Sequence, residues 1–223
     1  IKSIKSFEYC ISLYLTIGEP DLSISYGMDV LPHCYGMISL SYLHYGDYSK
    51  AIYFSKKSVL NSKTNLSKTI AYIFRILCLS IYEDYTAVVN ERNKYYSRSN
   101  RANDFYYNMY IDMMYYVAIG EPNKSFEISK EIIKNDNGFA LGWYLPLIAN
   151  SFMKLDDISN ASNVLDICKK QIERNSEESS LPMYLNSRVR FYIYSNKYES
   201  AKAITKISMD KCNLQKANYF YNE

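Results

Sequence analysis

The chain has 223 residues, 48% of them hydrophobic and 22% charged, with 26 Lys and Arg against 23 Asp and Glu. Such a composition excludes a disordered tail and supplies enough apolar residues for a sizeable core. The formal net charge of +3 lacks the strong basic excess usual in proteins whose main task is to grip a phosphate backbone.

Only 7 Gly and 5 Pro interrupt the chain, and between them apolar residues recur three and four apart. That is the period of a helix. Ile4, Phe7, Ile11 and Tyr14 mark one such face near the start, Tyr35, Ile38 and Tyr42 the next, and Leu145, Ile148, Ala149 and Phe152 a later one. No run of alternating apolar residues bounded by hairpin turns stands out, so the expected class is all-α. The longest apolar stretch, residues 70–82, is broken by Arg75 and falls short of the roughly 20 residues that cross a bilayer. No signal peptide is visible, and a cytoplasmic protein without membrane contact is expected. The chain opens on Ile1 rather than Met, which suggests part of a longer protein with an effector domain upstream.

Cys10, Cys34, Cys78, Cys168 and Cys212 are odd in number, far apart and without a Cys-x-x-Cys pair, so they read as reduced core thiols. Asn-x-Ser sequons at Asn65, Asn123 and Asn160 are about as many as chance supplies in a chain this rich in Asn and Ser.

Internal repetition is more informative. Tyr14-Leu-Thr-Ile-Gly18-Glu19-Pro20 returns as Tyr116-Val-Ala-Ile-Gly120-Glu121-Pro122, an offset of 102 residues. Weaker copies of the same turn are Tyr45-Gly46-Asp47-Tyr48 followed by Ala51, and Tyr82-Glu83-Asp84-Tyr85 followed by Ala87. Two more are Leu155-Asp156-Asp157-Ile158 followed by Ala161, and Ser195-Asn196-Lys197-Tyr198 followed by Ala201. The last residues of these turns, at 20, 48, 85, 122, 158 and 198, are 28 to 40 residues apart, the spacing of stacked helical hairpins. A small side chain three residues into the second helix lets it approach the first closely, and stacking of pairs completes a core that one pair cannot close.

The segment Tyr35, Ile38, Ser39, Tyr42, Gly46, Tyr48 and Ala51 resembles the tetratricopeptide repeat family, falling on its Trp-x-x-Leu-Gly-x-x-Tyr and Gly-x-Tyr-x-x-Ala positions. Asp112, Arg75 and Arg188 stand where that family usually has Leu. The longer intervals look like the looser repeats of bacterial signalling and transcription regulators. The resemblance implies one right-handed superhelix, an α-solenoid of about six antiparallel hairpins over residues 1–32, 33–63, 64–101, 102–137, 138–178 and 179–210, with a capping helix over 211–223.

No phosphate loop, nucleophile elbow or His-Glu-x-x-His motif is present, so neither an enzyme nor a cofactor or metal site is expected. His33 and His44 lie roughly 16 Å apart along one helix, too far to share a metal. His33 beside Cys34 forms no dyad, because helical neighbours point apart. In the family resembled, the first helix of each pair lines a concave groove. Counting back from the turns puts Tyr107, Tyr110 and Met114 there, then Trp143, Asn150 and Met153, then Met183, Asn186 and Arg190. Aromatic and Met side chains give adaptable apolar contact, Asn can hold a peptide backbone, and Arg can receive a carboxylate. Pro146 is expected to kink that helix or shift its start. A protein or peptide partner therefore leads, with homo-oligomerisation left open, for what the resemblance makes the sensory or oligomerising part of a regulator. The alternatives are nucleic-acid binding by the basic segment holding Arg92, Lys94, Arg98 and Arg101, with Tyr95 and Tyr96 between them, or a scaffold role in a larger assembly.

Overall fold

The computed structural model describes residues 2–18, 29–98, 105–135 and 140–215. The described residues form eleven α-helices and one 3-10 turn, with no strand, so the chain is all-α. The helices are α1 (Lys2–Thr16), α2 (Val30–Tyr45), α3 (Tyr48–Asn61), α4 (Asn65–Ile81), α5 (Tyr85–Arg98) and α6 (Phe105–Ala118). They continue as α7 (Pro122–Lys134), α8 (Leu141–Lys154), α9 (Ile158–Asn175), the 3-10 turn Glu178–Ser180, α10 (Leu181–Tyr194) and α11 (Tyr198–Gln215). Two compact units divide the chain, Ile1–Asp112 and Met113–Glu223, with α6 crossing the boundary.

In the first unit α2 packs on α1, α3 and α4, α3 packs on α4, and α4 on α5. In the second, α8 packs on α7, α9 and α10, α9 on α10, and α10 on α11. Each unit thus contains a helix, α2 or α8, that touches both its hairpin partner and the helix that opens the next pair.

One turn geometry joins the hairpins. Gly46, Glu83, Gly120, Asp156 and Asn196 have φ of 82°, 56°, 76°, 60° and 57°, in the left-handed region. In each turn the next residue's N–H donates to a carbonyl five positions back: Asp47 to Tyr42, Asp84 to Leu79, Glu121 to Tyr116, Asp157 to Phe152 and Lys197 to Tyr192, at 2.8–3.0 Å. This is the Schellman ending of a helix, and Gly at 46 and 120 adopts it without steric cost. Gly18 has φ of 84° and donates to Leu15, but Glu19 and Pro20 lie outside the described residues. Asp47, Asp84 and Asp157 then cap the following helix, each accepting at Oδ1 from the N–H three residues on. The third residue after each turn's last position, Ala51, Val88, Ser125, Ala161 or Ala201, is buried. At the third turn the buried contact is Val88 and not the expected Ala87, which is half-buried and serves the cap through its N–H.

The polar residues standing where Leu was expected share one register, ten positions before the turn's last residue. Arg75 on α4 donates from Nη1 to Ile52 O (3.1 Å) and to Ser55 Oγ (3.2 Å) on α3. Asp112 on α6 accepts from Arg92 Nε (2.9 Å) and Tyr96 OH (2.8 Å) on α5. On α10, Arg188 Nη1 lies 3.1 Å from Asp166 Oδ1 on α9, an ion pair not aligned as a hydrogen bond. Ile38 and Ile148 occupy the same position in α2 and α8 and are fully buried.

Carboxylates also tie loops across pairs. Asp29 Oδ2, at the start of α2, accepts from the N–H groups of Lys63 (2.7 Å) and Thr64 (3.0 Å) before α4. Pro146 lies inside α8, whose start is Leu141, so the helix runs through it. The Gly142 carbonyl deprived of its donor faces the Cys168 thiol, with Sγ at 4.0 Å. The expected helix start at Lys211 is absent: Lys211–Gln215 continue α11, because no Gly or Pro interrupts residues 198–215, and residues 216–223 lie outside the description.

Candidate functional site

The expected groove residues separate by exposure. Met114 is fully buried, and Met153, Met183, Trp143 and Tyr110 are buried at 2%, 4%, 7% and 9% exposure. These five are packing residues, which corrects their reading as groove lining. Helical spacing assigns them to a face, and that face is covered by neighbouring helices. Tyr107, Asn150, Asn186 and Arg190 keep solvent access, Tyr107 most at 44%.

In the second unit Asn150 stands on α8 and Asn186 and Arg190 on α10, two helices that pack together. Asn150 and Arg190 occupy one register, eight positions before their turns, and Asn186 lies one helical turn before Arg190. Asn150 Oδ1 is buried and has no hydrogen-bond partner among the described residues. An acceptor in that state costs free energy, about 1–3 kcal/mol, until a donor reaches it. Asn150 thus presents an amide oxygen without a donor, beside Asn186 and Arg190, which keep solvent access.

The histidines form no reactive group. His33 lies edge-on to Phe74 with ring centroids 6.0 Å apart, and burial lowers its pKa. Cys34 beside it is pushed up to about 11, first by burial and then by Cys10, so its thiol stays protonated and a weak nucleophile. His44 Nδ1 lies 3.3 Å from the Leu40 carbonyl. No group of three His, Cys, Asp or Glu able to hold a metal occurs among the described residues.

The basic segment on α5 is partly neutralised. Arg92 is held by Asp112 and lies 4.7 Å from the centre of the Tyr96 ring. Lys94 pairs with Glu91 at 3.1 Å. Tyr95, 2% exposed, bonds Thr69 Oγ1 and Asn108 Oδ1, so its ring is not a platform for a base. Arg98 ends α5, its side chain undescribed, and Arg101 lies outside the described residues.

A surface that sequence reasoning missed lies on α3. Tyr53 and Leu60, seven residues apart, are 52% and 71% exposed, with Lys50, Lys56 and Lys57 around them. Ala51, Ser55 and Ser58 bury the opposite side. The signal was available: Lys50, Lys56 and Lys57 sit on a helix that carries no Asp or Glu.

Among the described residues no helix is long and apolar enough to cross a membrane. Compared with protein-family models, with curated proteins and with solved structures, the chain has no match.

Proposed function

We propose that the chain is a non-catalytic protein- or peptide-binding domain built from tetratricopeptide-like helical hairpins, its partner lying along the exposed polar residues of α8 and α10. The observation that carries the hairpin reading is the recurrence of one Schellman turn at Gly46, Glu83, Gly120, Asp156 and Asn196. The packing of α2 on α4 and of α8 on α10 supports it, since stacked hairpins bring successive first helices together. Binding draws its support from Asn150, whose Oδ1 lacks a donor, and from Asn186 and Arg190 beside it in register. Together the two amides suit a partner that presents backbone N–H and C=O groups, with Arg190 at the edge of the same surface.

The experiment is affinity capture from a lysate of the source cell with the 223-residue chain as bait, beside Asn150→Ala and Arg190→Glu. A polypeptide retained by the parent and lost from both variants, with helical circular dichroism unchanged, supports the reading. Equal retention by all three baits, or no retained polypeptide, contradicts it.

A further inference from the structure

The outward face of α3 differs in charge from the second helices of the other hairpins. α5 carries Glu91, α7 carries Glu127 and Glu131, α9 carries Asp166 and Glu173, and α11 carries Glu199 and Asp210, in each case among basic residues. On α3 there are three lysines and no carboxylate. Lys50 is paired with Asp47 at the helix start, at 3.0 Å. Lys56 and Lys57 have no carboxylate partner among the described residues. Lys57 Nζ instead stands 4.9 Å from the Tyr53 ring centre and 5.3 Å from that of Tyr35. Tyr53, Lys56 and Leu60 follow one another at spacings of three and four, so one row on the helix sets a lysine between two exposed apolar side chains.

Two kinds of polyanion would meet such a face, and the rings decide between them. Tyr42 and Phe54 are stacked on one another, 5.5 Å apart and 8° from parallel. Lys50 covers Tyr42 at 5.0 Å, and Lys57 covers Tyr35 and Tyr53. A base would have to displace those ammonium groups to stack. Carboxylates can meet the lysines where they stand, while Leu60, 71% exposed, and the part of Tyr53 that Lys57 leaves open receive apolar side chains.

We infer that the outward face of α3 docks an acidic, amphipathic segment of a partner protein, with its apolar side chains on Tyr53 and Leu60 and its carboxylates on Lys56 and Lys57. This rests on the protein-binding reading but uses a different surface from the α8 and α10 residues. The probe is a fluorescein-labelled peptide of about 14 residues, Leu at helical spacing and Glu elsewhere, titrated with the full chain by fluorescence anisotropy. Lys56→Glu with Lys57→Glu is expected to weaken binding by about tenfold or more. Lys202→Glu with Lys206→Glu, exposed on α11, is expected to change it by less than about twofold, which separates docking from general attraction. The same peptide with Lys in place of Glu is expected to bind the α3 double variant more tightly than the parent. Equal weakening by both double variants, absence of saturable binding, or a labelled oligothymidylate that outcompetes the peptide overturns the inference. Any of these results, with capture through Asn150 and Arg190 intact, removes the α3 site alone.

Discussion

The Glu177 carboxylate holds the start of a helix 35 residues earlier in the chain: its Oε2 accepts from the Gly142 N–H at 3.1 Å. Its Oε1 accepts from the Ala140 N–H at 2.7 Å and from Asn175 Nδ2 at 3.1 Å. The acid stands after α9, and the two backbone donors it satisfies lie at the N-cap and first turn of α8, whose N–H groups have no partner within the helix. A Cβ on Gly142 would collide with Ser180 Oγ and come within 2.7 Å of Glu177 Oε2. Gly142→Ala should therefore destabilise the second unit by about 1–3 kcal/mol through overpacking. Glu177→Ala should cost about 1–3 kcal/mol by leaving N–H groups unpaired. Urea unfolding should show the double variant losing less than the sum, because both changes act on one contact.

A second close approach joins α2 to α4. A Cβ at Gly36 would overlap the Phe74 ring, which explains why a helix interior tolerates Gly here. Gly36→Ala should lower stability by about 1–3 kcal/mol. In the Phe74→Leu background, where the ring is gone, the same change should cost less or nothing. Equal cost in both backgrounds would assign the effect to something other than this contact.

Asp112 and Tyr96 give the first unit a response to alkali. Tyr96 is held well above the usual tyrosine range, first by burial and then by the hydrogen bond its OH donates to Asp112. A pKa raised on folding stabilises the native state below the unfolded value of about 10, and that stability is lost as pH rises through the folded value. Stability should fall above about pH 10, and Tyr96→Phe should flatten that decline. Asp112→Ala should destabilise at neutral pH by about 1–3 kcal/mol, since Arg92 and Tyr96 both lose their acceptor.

Thiol reactivity should separate the five cysteines. Cys10 is exposed, whereas Cys34, Cys78, Cys168 and Cys212 are buried. Burial pushes Cys34 up to about 11 and Cys78 up to about 12. One thiol should react rapidly with a disulfide reagent under native conditions and four only on unfolding, with the fast phase abolished in Cys10→Ser.

The turns were the most legible part of the fold. Gly46 and Gly120 announce a left-handed residue, and Glu83, Asp156 and Asn196 fill the same place in their turns without a glycine to mark it. Arg75, Asp112 and Arg188 were visible only as departures from an apolar pattern, because a single position does not reveal the partner on the preceding helix. The candidate site was half legible. Spacing places Trp143 and Met153 on the same helix as the half-exposed Asn150, and Met114 at its register in α6, but it does not say which neighbours cover them. The Asp29 and Glu177 bonds were out of reach, since each joins a side chain to backbone groups at least 34 residues away and leaves no periodic trace.

The most direct test of partner binding through α8 and α10 is hydrogen exchange of the chain with and without the captured polypeptide. Docking there predicts slowed exchange in the segments holding Asn150, Asn186 and Arg190, and no slowing when Arg190→Glu replaces the parent. Unchanged exchange in both helices on addition of a polypeptide that binds would contradict it.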